Sequence, residues 1–237
     1  MKDLINIIEK LKIGSKTKIN GSNYFPKNYD ELKNIIDKLI EERGNEADLN
    51  DIDISQIHKL DGLFCGKNFN GDISEWDTSN VESIASIFQR SPFNGDLSKW
   101  DVSKVKNMEW AFAGSKFNNN SICKWDTSNV ENMKAMFSAA LEFNQDLSKW
   151  DVSNVEDMNM LFRMTSFNKN ISNWNVSKVK IMHDMFANCP FNKKIDNWKI
   201  NNECSLYDMF YKCPLKKHPP KWYIEWKNKN DSNNINL

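Results

Sequence analysis

The sequence has no excess charge, no long apolar run, few histidines and no closely spaced cysteine pair. Each absence removes a class of function. Lys+Arg and Asp+Glu are both 32, a formal net charge of zero. Nucleic-acid affinity rests on clustered Lys and Arg neutralising several phosphates, so no nucleic-acid partner is expected. No apolar stretch approaches the roughly 18 residues that a membrane span needs. The opening MKDLINIIEKLKIGSKTK lacks the apolar core of roughly 7–15 residues and the small-residue cleavage site of a secretory leader, so a cytoplasmic location is expected. Five cysteines, an odd number without a CxxC, suit buried thiols in a reducing compartment. The three histidines are His58, His183 and His218. None faces a Ser, Cys or Asp that stands out as a nucleophile, and nucleophilic catalysis needs such a pair within hydrogen-bond reach. No catalytic residue, cofactor or metal is expected, and the chain reads as a non-enzyme.

What is present is repetition. Phe-Asn recurs at Phe69, Phe93, Phe117, Phe143, Phe167 and Phe191, at intervals of 24, 24, 26, 24 and 24. Trp recurs at Trp76, Trp100, Trp125, Trp150, Trp174 and Trp198, and a second Phe follows each by 12 residues, from Phe88 to Phe210. Self-similarity at this period means stacked supersecondary units, each burying its apolar face against the next. The mean hydropathy of −0.67 alone would suggest disorder, but 9 Trp and 14 Phe at fixed spacing do not fit a disordered chain. About one residue in seven is Asn. A skewed base composition accounts for some of these, but the Asn fixed within the repeat need a structural role.

Within one unit, Asp-Ile/Leu-Ser-x-Trp reads as alternating apolar and polar, a short strand. The following Asp-x-Ser is turn chemistry, because both side chains can bond nearby backbone N–H groups. Val-x-x-Met/Ile-x-x-Met/Leu-Phe has helical spacing and predicts a short α or 3₁₀ segment. The expected class is therefore an α/β repeat, a leucine-rich-repeat-like solenoid of about seven 24–25-residue coils, roughly 35 Å tall at about 4.8 Å per coil. Residues 1–47 are expected to form a helical N-terminal cap, 48–214 the repeats, and 215–237 a C-terminal cap and tail. In the first part, residues 1–12 read as an amphipathic helix and Thr17–Ile19 as a short strand. A clearer helix carries Leu32, Ile35, Ile36, Leu39 and Ile40 on one stripe, capped by Asn28 or Asp30 and ended by Arg43 and Gly44. At the other end Glu203 falls where earlier coils have Val, PLKKHPPKWYIEW breaks the period, and residues 227–237 read as a frayed tail.

Stacking turns each repeat position into a column. The Trp and Phe columns fill a core. Asn70, Asn94, Asn118, Asn144, Asn168 and Asn192 are expected to form a ladder at a buried corner, where losing one rung leaves donors and acceptors unpaired at a cost of about 1–3 kcal/mol.

The combined motif FNxD(I/L)SxWD(V/T)SNVxxMxxMF resembles the roughly 25-residue repeat of mycoplasma-type lipoproteins and of the BspA-like leucine-rich-repeat surface proteins, over about residues 47–214. The resemblance implies a leucine-rich-repeat-like solenoid, no catalytic activity, and binding, typically adhesion to host or neighbouring cells. It also implies a cell-surface location, although this sequence lacks the signal peptide, lipobox Cys and wall anchor of surface-exposed members.

What remains for function is surface. Cys189 and Cys213 each follow a repeat Phe by three residues and are stack neighbours, which leaves free thiols, a disulfide under oxidation, or a metal site shared with His183. The residue before each Trp runs Glu75, Lys99, Lys124, Lys149, Asn173, Asn197, and another row runs Glu82, Lys106, Glu131, Glu156, Lys180. Mixed signs in adjacent coils pair weakly across the stack. A run of variable positions is also how repeat proteins recognise partners. Lys99, Lys124 and Lys149, with Glu75, are the candidate partner-binding residues, suited to an acidic partner. A protein-interaction module is expected, with an intracellular structural or regulatory protein, such as an inhibitor or immunity-type protein, as the alternative. A monomer is expected, with end-to-end dimers open if either cap is weak.

Overall fold

The computed structural model describes residues 23–233. The expected helix over residues 1–12 and strand over residues 17–19 lie outside them.

The first regular element, α1 (Tyr29–Arg43), starts where its sequence signals it. The Asn28 side chain accepts from the Glu31 N–H at 2.9 Å, and the Glu31 carboxylate accepts in turn from the Lys27 N–H at 2.8 Å. Gly44, at φ 86°, ends the helix with its N–H on the Ile40 carbonyl. Leu32, Ile35, Ile36 and Leu39 form the buried stripe. Burying four such side chains stabilises by about 6–12 kcal/mol before the entropy of ordering them. Tyr29 and Asp37 fasten α1 to the first coil through the Asp61 carbonyl and the Lys67 amine.

The expected α/β class does not hold, and neither does the solenoid of strands and helices drawn from it. Among the described residues the α-helices are α1 and α2 (Lys221–Asn233), both outside the repeats, and there are two short 3₁₀ turns, Asn120–Lys124 and Pro214–Lys216. No strand forms. Neighbouring coils meet instead at isolated parallel bridges, Lys59 to Ser83, then Asn107, Asn132, Asp157, Ile181 and Ser205. The expected helical cap reduces, among the described residues, to the single helix α1.

The reason lies in where the backbone N–H groups go. An α-helix needs successive N–H groups bonded four residues back. Here they alternate. In the coil beginning at Met108, the N–H groups of Met108, Trp110, Phe112 and Gly114 cross to carbonyls of Asn132, Lys134, Met136 and Ser138 in the next coil, while those of Ala111, Ala113 and Ser115 close turns three residues back. Two residues per coil take positive φ, four apart, as at Ser86 and Arg90 or Met160 and Met164. That conformation is incompatible with a continuing helix. A succession of three-residue turns repeats its inward side chain every three or four residues, which imitates helical spacing.

The expected strand fails for a related reason. Asp96 Oδ1 accepts the Ser98 N–H at 2.8 Å, and the Trp100 N–H reaches back to the Leu97 carbonyl at 3.2 Å. The buried residues there, Leu97 and Trp100, are three apart, not two.

The core consists of aromatic columns. Phe64, Phe88, Phe112, Phe137, Phe162, Phe186 and Phe210 stack at 5.5–6.0 Å between ring centroids. A second column, Phe69 to Phe191, lies against it, and Trp76 stacks on Trp100 at 6.2 Å. The 26-residue interval is two single-residue insertions. One is taken up at the 3₁₀ turn Asn120–Lys124, and the other puts Leu141 on the surface, 63% exposed.

At the far end the period continues where the sequence seemed to break it. Trp222, on α2, stacks on Trp198 at 6.2 Å and donates its indole N–H to the Ile195 carbonyl. The backbone through Asn233 is helical rather than a frayed tail from residue 227. Cys204, not Glu203, takes the buried place of the earlier Val residues, closing the same turn on Asn201 that Val179 closes on Val176.

Candidate functional site

The Trp column is fixed by one repeated bond. The indole N–H groups of Trp76, Trp100, Trp125, Trp150, Trp174 and Trp198 donate to the carbonyls of Leu49, Ile73, Leu97, Ile122, Leu147 and Ile171 in the preceding coil, at 2.9–3.1 Å. The Asn residues act in the opposite direction. Oδ1 of Asn70, Asn94, Asn118, Asn144 and Asn168 accepts the backbone N–H of the Asn one coil on, ending at Asn192, at 2.8–3.1 Å. Their corner is half-exposed to exposed rather than buried.

Of the candidate partner-binding residues, Lys99 is paired with Glu75 in the coil before it, and the hydrogen bond and charge of Glu75 raise the Lys99 pKa. Lys124 and Lys149 are exposed and carry no ion pair among the described residues. In the second charged row, Lys180 pairs with Glu156 at 2.7 Å. A third pair, Lys134 with Glu109 at 2.9 Å, joins positions that the sequence reading did not single out.

Those two residues belong to the face made by the consecutive turns. The identities of its positive-φ residues vary along the stack: Ser86, Trp110, Ala135, Met160, Asp184 in one column, where Ala135 is buried and the others half-buried, and Arg90, Gly114, Ala139, Met164, Asn188 in the other, half-buried to exposed. In the middle coils Trp110 and Met160 are half-buried and Met164 is 38% exposed, and the inserted Leu141 is exposed as well. Two of the chain's three arginines, Arg90 and Arg163, stand on the same face with no ion pair among the described residues. The signal was in the sequence: the residue two before each turn-face Phe changes from Ser to Trp, Ala, Met and Asp.

Cys189, Cys213 and His183 are held in structural hydrogen bonds. Cys189 and Cys213 are free and buried, and their Sγ–H groups donate to the Phe167 and Phe191 carbonyls at 3.2 Å, as the Ser91 hydroxyl does to Phe69. Burial pushes the Cys204 and Cys213 thiols up to about 12 and raises that of Cys189. His183 hydrogen-bonds Ser205 and meets the Tyr207 ring edge-on, so it does not serve Cys189. Among the described residues no group of His, Cys, Asp and Glu is arranged to hold a metal ion, and no helix is long and apolar enough to cross a membrane. The concave surface by Lys193, Lys194, Asp196 and Asn197 is shallow and polar.

No curated protein and no solved structure matches the chain. A family match does, in two overlapping stretches, residues 31–121 and 108–222, as a repeated unit would give. Together they span most of the sequence, and the chain belongs to the family described as Mycoplasma protein of unknown function, DUF285.

Proposed function

We propose that this chain is a non-enzymatic protein-interaction module that takes a protein partner on its turn face. The observation that carries the reading is the occurrence of Trp110, Leu141, Met160 and Met164, with Arg90 and Arg163, at half-buried to exposed positions of the turn segments in consecutive coils. Protein interfaces are enriched in aromatic residues, Met and Arg, and a few such residues carry most of the binding energy. The exposed Lys124 and Lys149, one coil apart, supply a second, basic strip for an acidic rim on the partner. Adhesion to host or neighbouring cells is the finer reading, supported by the resemblance to BspA-like surface proteins.

Two experiments test this. Affinity isolation from source-cell extract is expected to give a stoichiometric protein with the parent chain, and not with Trp110→Ser/Met164→Asp at unchanged thermal stability. Equal recovery by both sinks the turn-face reading. Protease shaving of intact cells separates the roles: release of peptides spanning Lys99 to Lys149 supports adhesion, and full retention until lysis rules it out in favour of an internal partner.

A further inference from the structure

The Asp that opens each Asp-Ile/Leu-Ser-x-Trp segment closes a turn. Oδ1 of Asp72, Asp96 and Asp146 accepts the backbone N–H of Ser74, Ser98 and Ser148 at 2.8–2.9 Å. Asn170 keeps that bond, to the Ser172 N–H at 3.0 Å, without the charge. One coil on, the place is taken by Lys194, whose amine has no acceptor to offer. The N–H two residues later belongs to Asp196, and it has no acceptor among the described residues.

A neighbouring column loses its partner at the same step. The Asp146 carboxyl is held below its ordinary 3.8 by its bonds to Ser148 and then by the charges of Lys169 and Lys149. Lys193 is the equivalent of Lys169 in the next coil, but the residue in the place of Asp146 is the neutral Asn170. Lys193 and Lys194 carry no ion pair among the described residues, and both line the shallow concavity with Asn170, Ser172, Asp196 and Asn197. From Asp through Asn to Lys, a column of acceptors becomes one of donors. A turn amide and two amines thus meet where earlier coils hold a carboxylate.

Charge selects the anion that can replace it. Lys169, Lys193 and Lys194 against Asp196 leave two positive charges in and beside the concavity. A phosphate monoester brings about −1.5 to −2 charges at pH 7 and three acceptor oxygens, where a carboxylate brings one charge and two oxygens. Backbone N–H groups and lysine amines are the donors that phosphate sites use.

We propose that Lys193 and Lys194, with the Asp196 N–H and the Asn170 side-chain amide, bind a phosphate group in the place of the missing carboxylate. The site shares no residue with the turn face, and its failure leaves that reading as it stands.

NMR titration of the full chain, read at the Lys194 and Asp196 amides with ionic strength held by chloride, tests it. Inorganic phosphate is expected to shift both amides saturably, with half-saturation at about 1–10 mM. Lys193→Gln/Lys194→Gln is expected to weaken binding about tenfold or more at an unchanged thermal midpoint. Asp196→Ser, which restores the residue of earlier coils and removes the opposing charge, is expected to tighten it about threefold. Lys194→Asp, which restores the turn carboxylate, is expected to abolish binding and to slow Asp196 amide exchange about tenfold, towards that of Ser98. The pentapeptide Gly-Gly-phosphoserine-Gly-Gly, beside its unphosphorylated counterpart, identifies the source. Binding about tenfold tighter than inorganic phosphate makes the ligand a phosphorylated protein side chain, and equal or weaker binding makes it a small phosphate. Four outcomes overturn the proposal: no saturation below about 100 mM phosphate, a response that chloride reproduces, unchanged binding in the double Gln variant, or an Asp196 amide that in the free chain exchanges as slowly as that of Ser98.

Discussion

The indole N–H of Trp222 meets the Ile195 carbonyl at 2.9 Å, the bond that Trp198 makes with Ile171 at 3.1 Å one coil earlier. A helix has therefore taken over one column of the repeat. Trp222→Phe, which keeps a ring but loses the donor, is expected to cost about 1 kcal/mol. Trp222→Ala, which also uncovers Trp198, is expected to cost about 2–3 kcal/mol, less than a fully buried Trp because Trp222 is half-exposed. Urea unfolding of the two variants measures both, and equal losses would mean that the bond contributes nothing.

The Asn ladder is directional, so its rungs are not equivalent. Asn94 Oδ1 accepts the Asn118 N–H at 2.8 Å, whereas Asn192, the last rung, has no later Asn to serve. Asn94→Ala is expected to lower stability by about 1–2 kcal/mol and Asn192→Ala by under about 0.5 kcal/mol. Similar losses at both positions would show that the amides act through something other than this bond.

Positive φ is built into every coil, but few of these positions hold glycine. Gly114 (φ 65°) and Arg90 (φ 55°) occupy the same place in adjacent coils. Gly114→Ala is expected to cost about 1 kcal/mol, since its new Cβ meets Arg90 Cγ at 3.4 Å in a left-handed conformation. Arg90→Gly is expected to leave stability unchanged or raise it by up to about 1 kcal/mol. A calorimetric loss for Arg90→Gly would place the stabilising contribution in the arginine side chain.

Asp157 stands in a column whose earlier members, Asn107 and Asn132, bond the backbone N–H two residues on just as Asp157 does. Burial raises the Asp157 pKa above its ordinary 3.8, Lys134 and the Asn159 N–H only partly offsetting it. A carboxyl with a raised folded pKa favours the folded state below its unfolded value and loses that contribution as pH rises through the folded pKa. Asp157→Asn is thus expected to be more stable than the parent at pH 7, the advantage closing as pH falls towards the ordinary carboxyl value. A pH series of unfolding midpoints reads this directly, and a constant difference across pH would exclude titration of Asp157 as the cause.

The period, the aromatic columns and the limits of α1 were all legible, because bulky side chains at fixed spacing and a capped amphipathic stripe leave little choice. The local conformation was not. Leu97 and Trp100 looked like alternation, and Val105, Met108 and Phe112 looked like a helix, because turns that close every three residues produce both patterns. Nothing short of the hydrogen-bond pairing separates them. Trp222 and Cys204 were readable by counting, at 24 residues from Trp198 and 25 from Val179, and were hidden by the prolines and by an extra residue. The lysine row drew attention for its charge. Trp110 and Met160 did not, since a large apolar residue is ordinarily assigned to the interior, whereas these two stand half-buried at positive-φ corners.

The uniform four-bond interface also decides how the molecule behaves under tension. Interior coils are held from both sides by the same set of bonds, so none is a weak point. The final coil is held by backbone from one side only. Pulled from both ends, the stack is expected to open at that end and lose one turn-built layer at a time, each layer releasing roughly 80 Å of contour from about 24 residues. A force–extension trace is expected to show a series of similar steps rather than one cooperative rupture.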